Sequence, residues 1–449
     1  MATQNIDVAE LLDGLRLGRL HVVVFALCFI ALFLDGMDFG TILVAAPAIL
    51  RDWHLPQNAM GIVFGAGNLG LLVGAVLFGK IGDHYGRRLG IIAGVLTYSL
   101  PAFVTGFATD TTQLLILRCL TALGIGGVVP NAIALLNETA PKNYRAGFVI
   151  VALIGNSLGA AAVGGLAAAT IPQYGWPAVF IIVGALGVVL SLLLYAALPE
   201  SIRYLTLTAP TSPRLRRMIE RAAPNLALSP DSGFHLEQQQ KLAKFNIAIL
   251  FRGKLRAATP LLWCAYFCEA LTFFTILSWS VVLLQNNGVS PAMASLAFAY
   301  GGLGSILAHL ILAWLVDRFG ATVIALAALL AIAALFCLGS LSLSATMMVA
   351  MMIAVITVAA GTHDSLNGIV AQFYPTSIRG NGVGYASGCG RLGAIPGPVI
   401  GGFLLSAGLP FSTVMNIIAF PYVLLVVVCF MLSRRRPSES DEPVIAPAQ

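Results

Sequence analysis

Charge is scarce in this chain. Lys, Arg, Asp and Glu make up 10% of its 449 residues, against about 25% in an ordinary globular domain. A shortage that deep excludes a water-soluble fold, whose surface must be largely polar. Cysteine is also sparse, with seven residues that show neither zinc-ligand nor disulfide spacing. Cys264 and Cys268 fall four apart, so they share a helix face, but no other soft ligand is near them in sequence. They read as packing or lipid-facing residues, and no metal or cofactor is expected. A nucleophile motif is missing too, which argues against an intramembrane enzyme built on His363 and Asp364. No appended signalling domain is evident either, which argues against a sensor. The first twenty residues lack the features of a signal peptide: they carry Asp7, Glu10 and Asp13 beside Arg16 and Arg19, with no small-residue cleavage site. Val8, Leu11, Leu12 and Leu15 have helical spacing, and predict a short helix lying on the membrane surface.

Apolar sequence is abundant instead. The chain is 58% hydrophobic with 46 glycines, and its mean hydropathy is +0.90. About 20 apolar residues cross a ~30 Å hydrocarbon core, and the chain offers twelve such segments. They lie at roughly 21–47, 57–79, 89–107, 112–136, 146–170, 177–198, 258–284, 291–315, 320–341, 345–370, 380–405 and 410–432. The expected fold is therefore an all-α integral membrane protein of twelve spans. With both ends placed in the cytoplasm, every Lys and Arg except Arg51, Arg118 and Arg391 falls on the inner side, as the positive-inside bias requires. The net charge of +6 thus reflects topology and the inner leaflet, and no nucleic-acid partner is implied.

The chain repeats itself. The offset that separates Asp83 from Asp317 also separates Gly86 from Gly320, Pro141 from Pro375 and Arg145 from Arg379. Each half holds six segments, so the halves are read as parallel repeats about an axis along the membrane normal. This gives a cytoplasmic segment 1–20, a first bundle 21–198, a central cytoplasmic loop 199–256, a second bundle 257–432 and a disordered tail 433–449. Pro210, Pro213, Pro224 and Pro230 break the central loop. It is read as a tether that lets the bundles rock.

A charge within a span marks a functional site by default, since an ionised Asp at the bilayer centre costs about 2.5–3.5 kcal/mol even on lenient insertion scales. Asp35 and Asp38 stand three apart on the first span, hence on one helix face. Arg391 lies about 18 Å beyond Arg379 at 1.5 Å per residue, near the midplane and in the opposite half. A guanidinium matches a carboxylate as a planar fork, so Arg391 is the expected holder of a substrate carboxylate, with Asp35 and Asp38 carrying protons. The competing reading is a structural Arg391–Asp pair that locks the bundles. Glu269, at mid-depth in the seventh segment, is a third acid: a second proton carrier, a partner of Arg391, or a donor to a substrate hydroxyl. Arg118 either tunes carboxylate protonation near the substrate or caps backbone carbonyls. His363 and Asp364 are sequence neighbours and do not share a helix face; one of them could line the path. His309 reads as a packed or pore-lining histidine. Phe39, Phe273, Phe274, Trp279 and Tyr385 are available to stack on a ring.

The stretch Gly79-Lys80-Ile81-Gly82-Asp83-His84-Tyr85-Gly86-Arg87-Arg88, with Asp317-Arg318-Phe319-Gly320 as its second-half counterpart, resembles the loop 2–3 signature of the major facilitator superfamily. Arg118 with Gly124 and Gly126, Glu138-Thr139-Ala140-Pro141 leading to Arg145, and Pro199-Glu200-Ser201 are similar to further signatures of that superfamily. Asp35-Gly36-Met37-Asp38 and the block from Tyr374 through Arg379 to Ile395 resemble the aromatic acid/proton symporter family within it. Glu269, Ser278 before Trp279, and His363 depart from that family's pattern. The full Gly-Pro pattern of drug antiporters falls on the eleventh segment (Gly393 to Gly402 with Pro398) rather than the fifth, which argues against drug export.

The resemblance implies the two-bundle superfamily fold and alternating access. It also implies a gate of Gly82, Asp83, Gly86, Arg87, Glu138, Arg145, Asp317 and Arg379, with charge contacts that lock one bundle against the other. The function expected is proton-coupled import of a small organic acid, aromatic or hydroxyaromatic, across the inner membrane by a monomer. The substrate contacts expected are Arg391, Arg118, Phe39, Trp279 and Tyr385, and proton coupling falls to Asp35, Asp38 and Glu269. The alternatives are a non-aromatic acid, such as a dicarboxylate or sugar acid, and export.

Overall fold

Uninterrupted apolar sequence leaves backbone amides no partner but one another in lipid, so each segment must close its hydrogen bonds as a helix. The structure, a computed structural model, describes residues 5–223, 232–236, 246–253, 255–375 and 377–435. Among them twelve helices are long and apolar enough to cross a membrane. The first six spans are α2 (Arg19–Asp52), α3 (Gln57–Tyr85), α4 (Arg87–Thr105), α5 (Thr111–Thr139), α6 (Arg145–Tyr174) and α7 (Pro177–Ala197). The second six are α10 (Leu255–Asn286), α11 (Pro291–Phe319), α12 (Ala321–Ser340), α13 (Ala345–Phe373), the α14–α15 pair (Arg379–Ala394 and Pro396–Ser406) and α16 (Phe411–Ser433). The eleventh span, expected over 380–405, is divided at Ile395, where Pro396 and Pro398 follow in the next turn. A proline ring clashes with the carbonyl four residues back and lacks the amide to bond it.

Two glycines of the repeat have a visible backbone reason. Gly86 and Gly320 take φ of +105° and +66°, a region that a Cβ disfavours. Each ends one helix and starts the next with no loop between. The crossing of α2 and α6 needs glycine for a different reason. A Cβ on Gly36 would stand 1.9 Å from the Asn156 carbonyl oxygen, and one on Gly159 would stand 1.8 Å from that of Phe33. Small residues let backbones meet where lipid offers no hydrophobic drive to bring helices together.

Within the first half, α3 packs on α5, α2 on α6, and α4 on α5 and α7. Within the second, α11 packs on α13, α12 on α16, and α10 on α14. The halves meet along α6–α11, α3–α15 and α2–α10. These contacts gather toward the ends of the helices remote from the chain termini. There the Asn58 amide donates to Ser406 Oγ at 2.8 Å, and Gly164 of α6 faces Ser295 and Ala299 of α11. Nearer the middle, Asn68 Nδ2 donates to the Ala394 carbonyl at 2.7 Å. The seam is closed on that side.

The N-terminal helix differs from expectation. α1 (Val8–Gly14) does not offer its apolar face to a membrane: Val8 and Leu12 are buried against Ile202 and Leu205 of α8 (Ile202–Thr208) and Leu215, Met218 and Ile219 of α9 (Pro213–Ala222). A parallel two-stranded ribbon, β1 (Asn5–Asp7) with β2 (Gly233–His235), joins the same cluster. Asp13 accepts from Arg145 at 2.6 Å and lies 3.5 Å from Arg203. The central loop is therefore partly folded, with the N-terminal segment as its other half. Neither piece has enough apolar surface alone, and only their meeting makes a core. The rest of the expected tether, 224–231 and 237–245, and the tail after 435 lie outside the described residues.

Candidate functional site

A cavity of about 410 Å³ sits where the two halves face each other, within the ~300–1,000 Å³ typical of small-molecule sites. Helices α2, α3, α5 and α6 wall it on one side, and α10, α11, α13 and α14 on the other. Its apolar wall holds Phe39, Phe273, Phe274 and Phe298, and its polar groups include Asp35, Asn156, His309, His363, Asp364 and Arg391. Phe39 and Phe274 meet edge to face across the halves, with ring centroids 6.5 Å apart.

The two acids of α2 share a helix face but have different environments. Asp35 lines the cavity at 1% exposure and accepts a 2.9 Å hydrogen bond from Asn156 Nδ2, while its Oδ1 has no partner. Asp38 is fully buried, with Oδ2 3.5 Å from Arg118 Nη1. That contact is Coulombic and makes no hydrogen bond. Arg118 also lies over the Phe180 ring at 5.8 Å. Its expected place beside the substrate is corrected: it stands behind the cavity wall, as the counter-charge of Asp38. Removing one partner of a buried pair typically costs about 3–5 kcal/mol. Arg118→Met is thus expected to lower the melting temperature in detergent, and adding Asp38→Asn should recover part of the loss. Equal melting of Arg118→Met and the unaltered protein would refute the pairing.

Arg391 opens on the cavity, and its Nη1 donates a long 3.4 Å bond to the Leu71 carbonyl across the seam. Among the described residues no carboxylate lies within ion-pair distance of it, so the structural Arg391–Asp lock is not formed here. Glu269 does not pair with Arg391 either. It is fully buried, and its Oε2 lies 2.5 Å from His363 Nδ1. His363 stacks on Phe273 at 4.8 Å and 20° and meets Phe274 edge-on at 5.7 Å. Asp364 turns the other way, to His309 Nε2 on α11 at 2.5 Å. The neighbours 363 and 364 thus serve different helices, as their spacing requires.

Two expected aromatic contacts are corrected. Trp279 is fully buried, donates from Nε1 to the Pro398 carbonyl at 2.8 Å, and packs on Phe64 at 5.4 Å. Tyr385 is 42% exposed and lies nearly parallel to Trp263 at 6.4 Å, off the cavity wall. Asn156 and Asn68 were missed in the sequence. Both are amides inside apolar helices, and that polarity was the available signal.

The gate residues fall into separate groups. Arg87 bonds Asp83 and donates from Nε to Glu138 Oε1 at 3.0 Å, while a Cβ on Gly82 would strike the Asn131 side chain. Arg145 is taken by Asp13 and not by Glu138. The expected lock between bundles is not formed in this state: Asp83, Arg87, Glu138 and Arg145 all bond within the first half and the N-terminal segment. Asp317 stays exposed at the end of α11, and Arg379 heads α14. Cys264 and Cys268 stand 3.9 Å apart as free thiols, and among the described residues no three ligating side chains cluster for a metal.

Two six-helix halves around a midplane cavity, closed at one end, define a membrane transporter of small molecules. The family model of the Major Facilitator Superfamily matches residues 28–261 and 262–448, and the chain belongs to that superfamily. It is a multi-pass membrane transporter, not an enzyme, and in a bacterium its place is the inner membrane. It is 33% identical over 426 residues to the 4-hydroxybenzoate transporter PcaK of Pseudomonas aeruginosa, covering 94% of this chain and 95% of that one. It is 30% identical to a gallate transporter of Pseudomonas putida (93% and 92% covered) and 30% to a benzoate transport protein of Acinetobacter baylyi (98% and 96%). Among solved structures, a bacterial homolog of the human lysosomal transporter Spinster, inward-facing and unoccupied, superposes with a TM-score of 0.75 over 95% of this chain and all of that one, at 17% identity. That likeness concerns the fold.

Proposed function

We propose that this protein is a proton-coupled symporter that imports an aromatic carboxylate by alternating access, with both termini in the cytoplasm. The observation that carries the reading is Arg391, a cation without a carboxylate partner among the described residues, opening on a cavity with four phenylalanines in its wall. A guanidinium offers an incoming carboxylate two parallel hydrogen bonds, and the rings offer offset or edge-on stacking to an arene. Relatives whose names specify hydroxybenzoate, gallate and benzoate support an acid of that kind.

Proton coupling falls to Asp35 and Asp38, with Glu269 as a further carrier. Asp35 is the group through which the cavity senses protons, because it meets the cavity while half of its carboxylate lacks a partner. Rocking about the seam would close the open side and part the contacts of Asn58 and Asn68. The inner residues Gly82, Asp83, Gly86, Arg87, Glu138, Arg145, Asp317 and Arg379 are the proposed gate of that second state. A monomer suffices, since the cavity lies wholly within one chain.

The test is uptake of radiolabelled benzoate and 4-hydroxybenzoate by proteoliposomes that are acidic outside, with protein-free vesicles as the control for diffusion of the neutral acid. Accumulation above that control, collapsed by a protonophore, is expected. Uptake of a dicarboxylate but of neither aromatic acid would overturn the substrate class. Accumulation indifferent to the pH gradient would overturn the coupling.

A further inference from the structure

The second half of the cavity carries more polar chemistry than a carboxylate and a proton require. Glu269 is fully buried, yet its one hydrogen bond goes to His363 Nδ1. The imidazole is held on three sides, by Glu269 at Nδ1, by the face of Phe273 and by the edge of Phe274. Its side chain remains 29% exposed, on the cavity wall. A carboxylate that accepts from Nδ1 fixes the proton there, which leaves Nε2 as the ring's free polar atom. His309 is differently placed: its Nε2 is shared between Asp364 and the Ala360 carbonyl at 3.0 Å.

We propose that His363, oriented by Glu269, recognises a hydroxyl on the ring of the substrate, so that the protein selects hydroxyaromatic acids over the unsubstituted acid. This rests on reading the cavity as an aromatic-acid site with the carboxylate at Arg391. Charge decides which group takes which end. His363 and His309 each face a carboxylate within 2.5 Å, so neither contributes surplus positive charge, whereas Arg391 does. An anion goes to the surplus cation, and a neutral polar group goes to the balanced pair. A phenolic hydroxyl both donates and accepts, so it bonds to Nε2 as a lone pair while the ring is neutral and as an N–H once the ring is charged. A methoxy group can only accept, and hydrogen can do neither.

The test is binding of benzoate, 3-hydroxybenzoate, 4-hydroxybenzoate and 4-methoxybenzoate to the purified full-length protein by calorimetry. At least one hydroxy acid is expected to bind roughly tenfold tighter than benzoate, the value of one good hydrogen bond. His363→Phe should weaken that hydroxy acid by a similar factor and benzoate much less, bringing the two together. Glu269→Gln, which loosens the hold on Nδ1, should narrow the preference partway, and His363→Gln, which keeps a hydrogen-bonding group, should retain part of it. Equal weakening of all the acids by His363→Phe would reduce the residue to a structural role and overturn the inference. The series on the unaltered protein tests it without any variant. Benzoate bound as tightly as its hydroxylated forms overturns this inference alone, whereas binding of none of the acids overturns the aromatic-acid reading with it.

Discussion

Asp35→Asn and Asp38→Asn are each expected to bring gradient-driven uptake down to the level of protein-free vesicles. An amide keeps the size and hydrogen-bonding of a protonated carboxyl but can neither release nor reload a proton, so the carrier is held in one protonation state. Asp35→Asn should therefore still exchange labelled for unlabelled substrate, a reaction that needs no net proton movement. Asp38→Asn should be the less stable of the two, because it leaves the buried Arg118 without its counter-charge. Exchange, driven uptake and melting temperature, measured on both variants, separate a coupling role from a folding role. Normal driven uptake in the double variant would sink the assignment of the proton to this helix.

The second large effect concerns affinity. Arg391→Ala is expected to raise the Kd for an aromatic acid by roughly 10- to 150-fold, since hydrogen bonds to charged groups contribute about 1.5–3 kcal/mol. Stability should change little, because Arg391 is exposed to the cavity and its one described bond is the 3.4 Å contact with Leu71. Arg391→Lys should fall between, keeping the charge but losing the planar fork. Titration calorimetry decides it. An unaltered Kd in Arg391→Ala would move the carboxylate elsewhere and remove the observation on which the proposed function stands.

Particular residues show how far sequence reasoning reached. The twelve spans were legible because lipid leaves each segment only the choice of being a helix, and the repeat was legible because Gly86 and Gly320 recur where a left-handed turn is needed. Asp35, Glu269 and Arg391 were conspicuous because charge in a span is rare. Depth alone, however, could not assign partners. Arg391 and Glu269 sit at similar depth, and the sequence left open a pairing between them, or between Arg391 and an Asp of the first span, beside the favoured role of Arg391 in holding substrate. In the structure Glu269 belongs to His363, and Asp38 to Arg118. Trp279 and Tyr385 were misplaced for the same reason: composition places an aromatic in a helix but does not say which way it turns.

The N-terminal segment adds a related lesson. Its apolar stripe was read correctly as a helix face, but a stripe does not name what covers it, and here the cover comes from Ile202, Leu215 and Ile219 about two hundred residues further along the chain. By itself the sequence determined the quantities that depend on one segment at a time: the number of spans, their approximate extent and the halves of the repeat. Each follows from the cost of exposing polar backbone or charge to hydrocarbon, which local sequence sets. The tertiary structure alone decided the pairings, namely Asp35 with Asn156, Asp38 with Arg118, Glu269 with His363 and Asp364 with His309. Those depend on how helices rotate about their own axes, which is settled by close packing at contacts such as Gly36 on Asn156 and is not encoded in any one span.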